Sequence, residues 1–186
     1  MEFVQPIRDR KILEKVKKSL MAKSRRDYCL FVLGINSGLR ISNLLPLKVE
    51  DIMEAGKIKD RLQLREQKTN KSKDFPLSKS VQKALKDYLA QSNLSGTLFP
   101  SRKGDNKPLT RQQAYRIIND AARAAGITDK IGTHTIRKTF AYHAIKGGNS
   151  IITVQKLLNH SSPGITLAYA GLTQDDMDAV YLSLDL

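Results

Sequence analysis

One stretch of this sequence is apolar on nearly all sides, and it constrains the fold more than any other feature. Residues 27–37 read DYCLFVLGINS, a composition that predicts a buried helix. Gly38 follows at a point where a left-handed residue can end the helix. We therefore expect a domain built around this helix, with Arg40 just past its end and anchored to the core.

Helical patterns dominate the rest of the chain. Residues 8–23 place Ile12, Leu13, Val16 and Leu20 on one face, as an amphipathic helix requires. Further helices are predicted at about 79–91, at 110–125, from Thr133 to Gly147, and after the capping residues Ser150 and Ser162.

Residues 61–77 change character. The segment RLQLREQ alternates like a strand, TNKSK is a polar turn, and DFPL resembles a short return strand. This pattern predicts a β-hairpin with Lys68, Lys71 and Lys73 at or near its tip. The predicted fold class is therefore mainly α with a small antiparallel β-sheet (α+β).

The charge balance indicates a polyanionic partner. The chain has 186 residues and a net charge of +14, from 32 basic and 18 acidic residues, which favours DNA or RNA. An anionic membrane surface is the alternative, but no apolar stretch is long enough to span a bilayer and no signal-peptide pattern opens the chain. We expect a cytoplasmic protein.

The helix at residues 8–23 carries basic residues opposite its apolar face. Lys15, Lys17 and Lys18 belong to this set, which is either a phosphate-facing surface or only a solvated one.

Cys29 is the only cysteine, so neither an internal disulfide nor a multi-thiolate zinc site is possible. The three histidines show no metal-site spacing, and we expect no metal.

Four motifs follow one another in the chain: GLRISNLLPL, QKTNKSKDFPL, HTIRKTFA and LLNHSSPGITLAYAG. Any one of them occurs by chance, but the ordered set strongly resembles the tyrosine recombinase, or phage integrase, family from about residue 5 to 172. The signature residues are Arg40, Lys68, His134, Arg137, His160 and Tyr169. The resemblance implies the catalytic-domain fold of that family.

The resemblance also implies a division of labour. Tyr169 would be the nucleophile that forms a 3′-phosphotyrosine, and its hydroxyl group has an ordinary pKa of about 10. Arg40 and Arg137 would hold the nonbridging oxygens of the scissile phosphate, for which the rigid guanidinium fork is suited. With two fixed cations in place, the family chemistry needs neither metal nor cofactor.

The remaining signature residues would handle protons. Lys68 would protonate the departing 5′ oxygen as the general acid, and Lys71 in the same turn is a close alternative. His134 would be the general base or proton relay for Tyr169, and His160 would donate a hydrogen bond to a phosphate oxygen. We also expect Lys71 to contact DNA, together with the lysines of residues 8–23.

Two features depart from the family pattern. Many relatives carry an acidic residue three positions after the first arginine, where this chain has Asn43. That acidic residue usually supports the hydrogen-bond network of the active site, so we expect reduced activity or an altered pH profile. Arg40 also comes very early, so we expect the N-terminal DNA-binding domain to be absent and DNA binding to be weak.

Two domain units are predicted: a catalytic domain at residues 1–172 and an amphipathic tail at 173–186. Thr173 is a candidate N-cap, and Met177, Val180, Tyr181 and Leu184 form an apolar stripe that packs either on its own domain or on a neighbouring protomer.

The predicted function is strand exchange on double-stranded DNA in site-specific recombination, by a homo-oligomer such as a tetrameric synapse. The alternatives are type IB topoisomerase-like relaxation and a DNA-binding protein that no longer cuts.

Overall fold

The apolar segment forms the central helix of the computed structural model, which describes residues 4–91 and 95–184, without the side chain of Leu184. Helix α2 (Arg25–Ser37) begins at Ser24, whose hydroxyl group accepts a hydrogen bond from the Asp27 amide. It ends at Gly38, which has φ of 60° in the left-handed region. The helix and its glycine terminator are therefore confirmed.

Helices account for most of the described residues. The elements in chain order are α1 (Arg10–Lys23), α2, α3 (Ile41–Leu44), α4 (Val49–Ile52), β1 (Met53–Glu54), β2 (Lys57–Ile58), β3 (Arg61–Arg65), β4 (Ser72–Pro76), α5 (Lys79–Leu89), α6 (Arg111–Ala124), α7 (Thr133–Lys146), α8 (Ile151–Leu158), α9 (Pro163–Ala170) and α10 (Gln174–Leu184). None of the helices in the described part of the chain is long and apolar enough to cross a membrane.

The predicted hairpin is present. Strands β3 and β4 pair antiparallel, with Arg61 opposite Pro76 and Arg65 opposite Ser72. A second antiparallel pair, β1 with β2, was not predicted, because strands of two residues are too short to show an alternating pattern. The expectation of a mainly helical fold with a small antiparallel sheet is confirmed.

The core surrounds α2 on more than one side. Cys29, Leu30 and Leu33 belong to a cluster shared with α5 and the hairpin, whereas Phe31 and Ile35 pack with α1 and α6. A third, smaller cluster joins α7, α8 and α9 through Ala141, Val154, Leu158 and Ala170. This third cluster lies directly beneath Tyr169, which packs against it.

Small residues allow α2 and α7 to approach closely. A Cβ atom at Gly34 would lie 2.5 Å from Cγ2 of Ile136, and one at Gly38 would lie 2.5 Å from Cδ1 of Phe140. A side chain at either position would force its neighbour to shift, so glycine fits both positions best. The close approach sets the position of α7, which carries His134 and Arg137.

The C-terminal helix α10 is attached to α7 by one carboxylate. Asp176 forms an ion pair of 2.8 Å with Lys146 and accepts a hydrogen bond from the Tyr142 hydroxyl group. Thr173 caps the helix, since its hydroxyl group accepts from the Asp176 amide. The apolar side chains of α10 point elsewhere, with Tyr181 78% exposed and Leu182 82% exposed. The predicted stripe residue Leu184 has its side chain outside the described part.

Candidate active site

Arg137 is the most deeply buried of the predicted catalytic residues. It is 2% exposed, and its guanidinium group donates hydrogen bonds to the backbone carbonyls of Gly38 and Leu158. These carbonyls lie at the ends of α2 and α8, so Arg137 joins three helices at one point. Burial, and then the charge of Arg40, lower its pKa to about 10, which leaves it charged at neutral pH.

Arg40 lies at the start of α3 and faces a buried carboxylate. Its Nη1 atom is 3.1 Å from Oε1 and 3.2 Å from Oε2 of Glu66, whose side chain has no exposed surface. The two arginines are near enough for each to influence the pKa values around them. Two fixed guanidinium groups, each able to bind a phosphate oxygen, therefore face one region of the site.

Tyr169 lies near the C-terminal end of α9. The helix begins with a Ser162 cap and Pro163 at its first position, and it ends at Gly171 in the left-handed region. The Tyr169 hydroxyl oxygen is 3.2 Å from Nδ1 of His134. Burial raises the pKa of Tyr169, whereas the charges of Arg137 and Arg40 oppose this increase.

His134 stands in the first turn of α7, three residues before Arg137, so the two side chains share one face of the helix. Loss of hydration, followed by the charges of Arg111 and Arg137, lowers the pKa of His134 below its ordinary value of 6.5. The imidazole is therefore neutral at neutral pH. In the tautomer that carries its proton on Nε2, Nδ1 accepts the hydroxyl proton of Tyr169 in a hydrogen bond.

His160 lies on the other side of the tyrosine ring. Its ring centroid is 4.9 Å from that of Tyr169, with the two rings close to perpendicular. Nδ1 of His160 is 3.1 Å from the Thr166 hydroxyl oxygen, so a donating Thr166 leaves Nε2–H as a donor for a ligand. Burial and the two arginine charges lower the pKa of His160 to about 4.

The three lysines of the hairpin differ in how far their side chains are buried. Lys68 lies in the turn between β3 and β4 with its side chain exposed, and Lys71 is exposed as well. Lys73 differs, because its Nζ atom is buried and has no hydrogen-bond partner among the described residues. Burial lowers the pKa of Lys73 to about 8, and Arg137, Glu66 and Arg40 are the charges it senses.

The lysines of α1 are distant in sequence from these residues, and the helix that carries them packs on another part of the fold. Lys15 and Lys18 are exposed, whereas Lys17 forms a 2.7 Å ion pair with Glu14. Helix α1 packs against α2 and α6. Their role in DNA binding, like that of Lys71, stays a prediction.

Two side chains of the site were not predicted to belong to it, although Lys73 had been placed near the tip of the hairpin. Glu66 shares the inward face of β3 with Leu62 and Leu64, and Lys73 shares that of β4 with Phe75. The sequence signal that could have identified Glu66 and Lys73 is a charged residue on the apolar face of an alternating strand. Among residues 4–91 and 95–184, no group of three or more metal-binding side chains is placed to hold an ion.

This arrangement defines a class of site: two fixed guanidinium groups beside a tyrosine whose hydroxyl group contacts a neutral histidine. It can bind a phosphodiester and take a proton from an attacking hydroxyl group. A family model described as the phage integrase family matches residues 8–175. The chain belongs to this family, which confirms the resemblance seen in its motifs.

Individual relatives agree with this assignment. The probable integrase/recombinase YoeC of Bacillus subtilis (strain 168) is 43% identical over 181 residues, which make up 97% of each protein. Tyrosine recombinase XerD of Corynebacterium glutamicum is 32% identical over 162 residues, covering 84% of this chain. The chain spans about half of that longer relative, since 51% of XerD is matched.

Solved structures show the same fold. The XerA recombinase structure superposes with a TM-score of 0.80 at 22% identity and covers 100% of this chain and 67% of that one. The post-cleavage complex of XerH recombinase with its difH substrate gives a TM-score of 0.75 at 22% identity, covering 97% and 53%. The predicted catalytic-domain fold of tyrosine recombinases is therefore confirmed.

Proposed function

We propose that this chain cuts and rejoins one strand of duplex DNA at a time, through a 3′-phosphotyrosine on Tyr169, in site-specific recombination. The observation that carries the proposal is the contact between the Tyr169 hydroxyl group and His134, beside two fixed arginines. Membership of a family whose named relatives are integrases and tyrosine recombinases supports it.

The chemical step balances with these side chains alone. The Tyr169 oxygen attacks phosphorus, its proton passes to Nδ1 of His134, and the bond between phosphorus and the 5′ oxygen breaks. The 5′ oxygen leaves with a proton from a general acid, which leaves a free 5′ hydroxyl group. Resealing reverses each transfer, so the phosphotyrosine conserves the bond energy.

Arg40, Arg137 and His160 stabilise the charge that develops on the nonbridging oxygens. Such preorganised donors act most strongly where water is excluded, and Arg137 is almost fully buried. His160 donates from Nε2 while Thr166 donates to its Nδ1. None of the three needs to change its charge during the reaction.

We assign the general acid to Lys68, in agreement with the family resemblance. Lys68 lies exposed in the hairpin turn, and we propose that this turn approaches bound DNA before cleavage. Lys73, buried next to Arg40 and Arg137 without a hydrogen-bond partner in the described part of the chain, contacts the same phosphate. The buried ammonium group of Lys73 gains a partner when the phosphate enters the site.

Double-stranded DNA is the proposed partner. The net charge of +14 supports this partner, as does the substrate complex of the related XerH structure. Lys15, Lys17, Lys18 and Lys71 are proposed to contact DNA phosphates. The dependence of DNA affinity on salt, compared with that of a Lys15→Glu, Lys18→Glu variant, measures whether α1 takes part, because lost phosphate contacts flatten the slope.

The division into a catalytic domain at residues 1–172 and a tail at 173–186 extends this proposal. We propose that α10 places its exposed apolar side chains on a neighbouring protomer in a tetrameric synapse. The exposure of Tyr181 and Leu182 supports this arrangement, because a helix that served only its own domain would bury them.

A nicked suicide substrate tests the proposed function. Duplexes that carry the sequences flanking the gene should form an adduct that survives boiling in detergent, with a free 5′ hydroxyl group on the released fragment. DNA binding without any adduct would contradict the proposal in favour of a DNA-binding protein that does not cut. Relaxation of plasmids with no site requirement would contradict it in favour of a topoisomerase.

A further inference from the structure

Glu66 is the only carboxylate that contacts the arginines of the site among the described residues. Its two oxygens accept hydrogen bonds from Arg40 at 3.1 and 3.2 Å, from Asn159 at 2.9 Å and from Thr69 at 2.8 Å. The Asn43 amide nitrogen is 3.5 Å from Oε1 of Glu66. The side chain has no exposed surface, so these partners replace its hydration entirely.

The four partners come from three separate parts of the chain. Arg40 and Asn43 belong to the start of α3, Thr69 to the hairpin turn, and Asn159 to the end of α8, 93 residues away from Glu66. Two of them adjoin proposed catalytic residues, because Thr69 follows Lys68 and Asn159 precedes His160. One carboxylate therefore links the segments that carry three of the six proposed catalytic residues.

Glu66 remains ionised in this setting. Burial alone would raise its pKa, but the hydrogen bonds from Asn159 and Thr69 and the charges of Arg40 and Lys73 outweigh burial and lower it. A negative charge is needed here, because Arg40, Arg137 and Lys73 would otherwise repel one another in a buried place.

We propose that Glu66 is the positioning residue of this active site, and that it carries the role that the family resemblance assigns to an acidic residue at position 43. The proposal depends on the proposed function. Asn43 remains part of the arrangement, since its side-chain oxygen accepts a hydrogen bond from the Gln67 amide at 3.1 Å and its nitrogen faces Glu66. The site therefore keeps its negative charge, and the substitution at position 43 does not by itself predict a weak enzyme.

A charge swap tests this assignment. Glu66→Gln keeps the shape of the side chain and removes its charge, which should slow single-turnover cleavage at saturating DNA by roughly 10- to 100-fold through misplacement of Arg40. Asn43→Asp added to Glu66→Gln restores one carboxylate in the same contact and should recover most of the lost rate. Glu54→Gln, which neutralises an exposed carboxylate in β1, is the matched control and should cleave at the wild-type rate.

Thermal unfolding of each variant separates positioning from folding. If Glu66→Gln is too unstable to assay, Asn159→Gly replaces it, because glycine tolerates the left-handed φ of 50° while removing the amide donor. Wild-type cleavage by Glu66→Gln or by Asn159→Gly would overturn the inference, as would a folded double variant that stays as slow as Glu66→Gln. Absence of cleavage by the wild-type chain would instead contradict the proposed function.

Discussion

The contact between Tyr169 and His134 is where the proposed chemistry begins, and its pH dependence follows from the environment of the imidazole. A general base must be unprotonated, and the pKa of His134 lies below 6.5 because of lost hydration and the nearby charges of Arg111 and Arg137. The base therefore stays competent into more acidic solution than an ordinary histidine would.

We expect the rate of adduct formation at limiting DNA, which reports the free enzyme, to decline in acid with a midpoint below pH 6.5. His134→Gln should cleave slowly and lose this acid limb. A decline centred at or above pH 6.5 in the wild-type chain would show that His134 is not the base, or that it is protonated in the free enzyme.

Lys68 and Lys73 have different proposed roles, so substitutions at the two positions should have different effects. A substrate with sulfur at the 5′ bridging position releases a thiolate, which needs no proton. Lys68→Ala should therefore be slow on the oxygen substrate, by about 10²–10⁴-fold, and close to normal on the sulfur substrate.

Lys73→Ala should be slow on both substrates, since a lost phosphate contact is not repaired by a better leaving group. Rescue of Lys73→Ala in place of Lys68→Ala would move the general acid to the buried amine. Rescue of Lys71→Ala would move it to the other exposed lysine of the turn.

At the scale of elements, the close packing of α2 and α7 holds the site together. Gly34 lies in the middle of α2, and an added Cβ atom would meet Ile136 at 2.5 Å. Gly34→Ala should lower the free energy of unfolding by about 1–3 kcal/mol through overpacking. The folded protein should also cleave more slowly, because α7 carries Arg137 and His134.

Gly164→Ala is the matched control. Gly164 also lies in a helix, but its added Cβ would approach no atom closer than Ser162 Oγ at 3.9 Å. The control should be as stable as the wild type or slightly more stable, since alanine favours helix. Equal unfolding free energies for the Gly34 and Gly164 variants, measured by urea titration, would contradict the packing account.

Elements were more predictable from the sequence than their contacts. The buried helix before Gly38 and the hairpin followed from local patterns, because periodicity reports which face a core covers. The identities of the signature residues came from the family resemblance. Glu66 was not predicted as a site residue. The alternation of the strand shows that it faces inwards, but it cannot reveal Asn159, a partner 93 residues away. The same limit applied to Lys73.

For the whole molecule, the exposed side chains of α10 predict assembly. Tyr181 and Leu182 are 78% and 82% exposed, so replacing both by serine should leave the thermal stability of the monomer unchanged. The double variant, like a chain that ends after Leu172, should still cleave a single site. It should fail to form the paired-site complex on gel filtration.

Normal assembly by the serine variant would rule out docking through α10. A truncated chain that melts at a much lower temperature, and assembles normally when folded, would show that α10 belongs to its own domain. The ion pair between Asp176 and Lys146 makes such a loss measurable, because it anchors α10 to α7.

The most direct measurement is the identity of the residue that becomes joined to DNA. After trapping on a nicked suicide substrate, proteolysis and mass spectrometry of the adduct should find the 3′ phosphate on Tyr169. Tyr169→Phe should bind the same DNA with unchanged affinity and form no adduct, since it lacks only the attacking oxygen. An adduct that persists in Tyr169→Phe, or that maps to Tyr142 or Tyr181, would contradict the account.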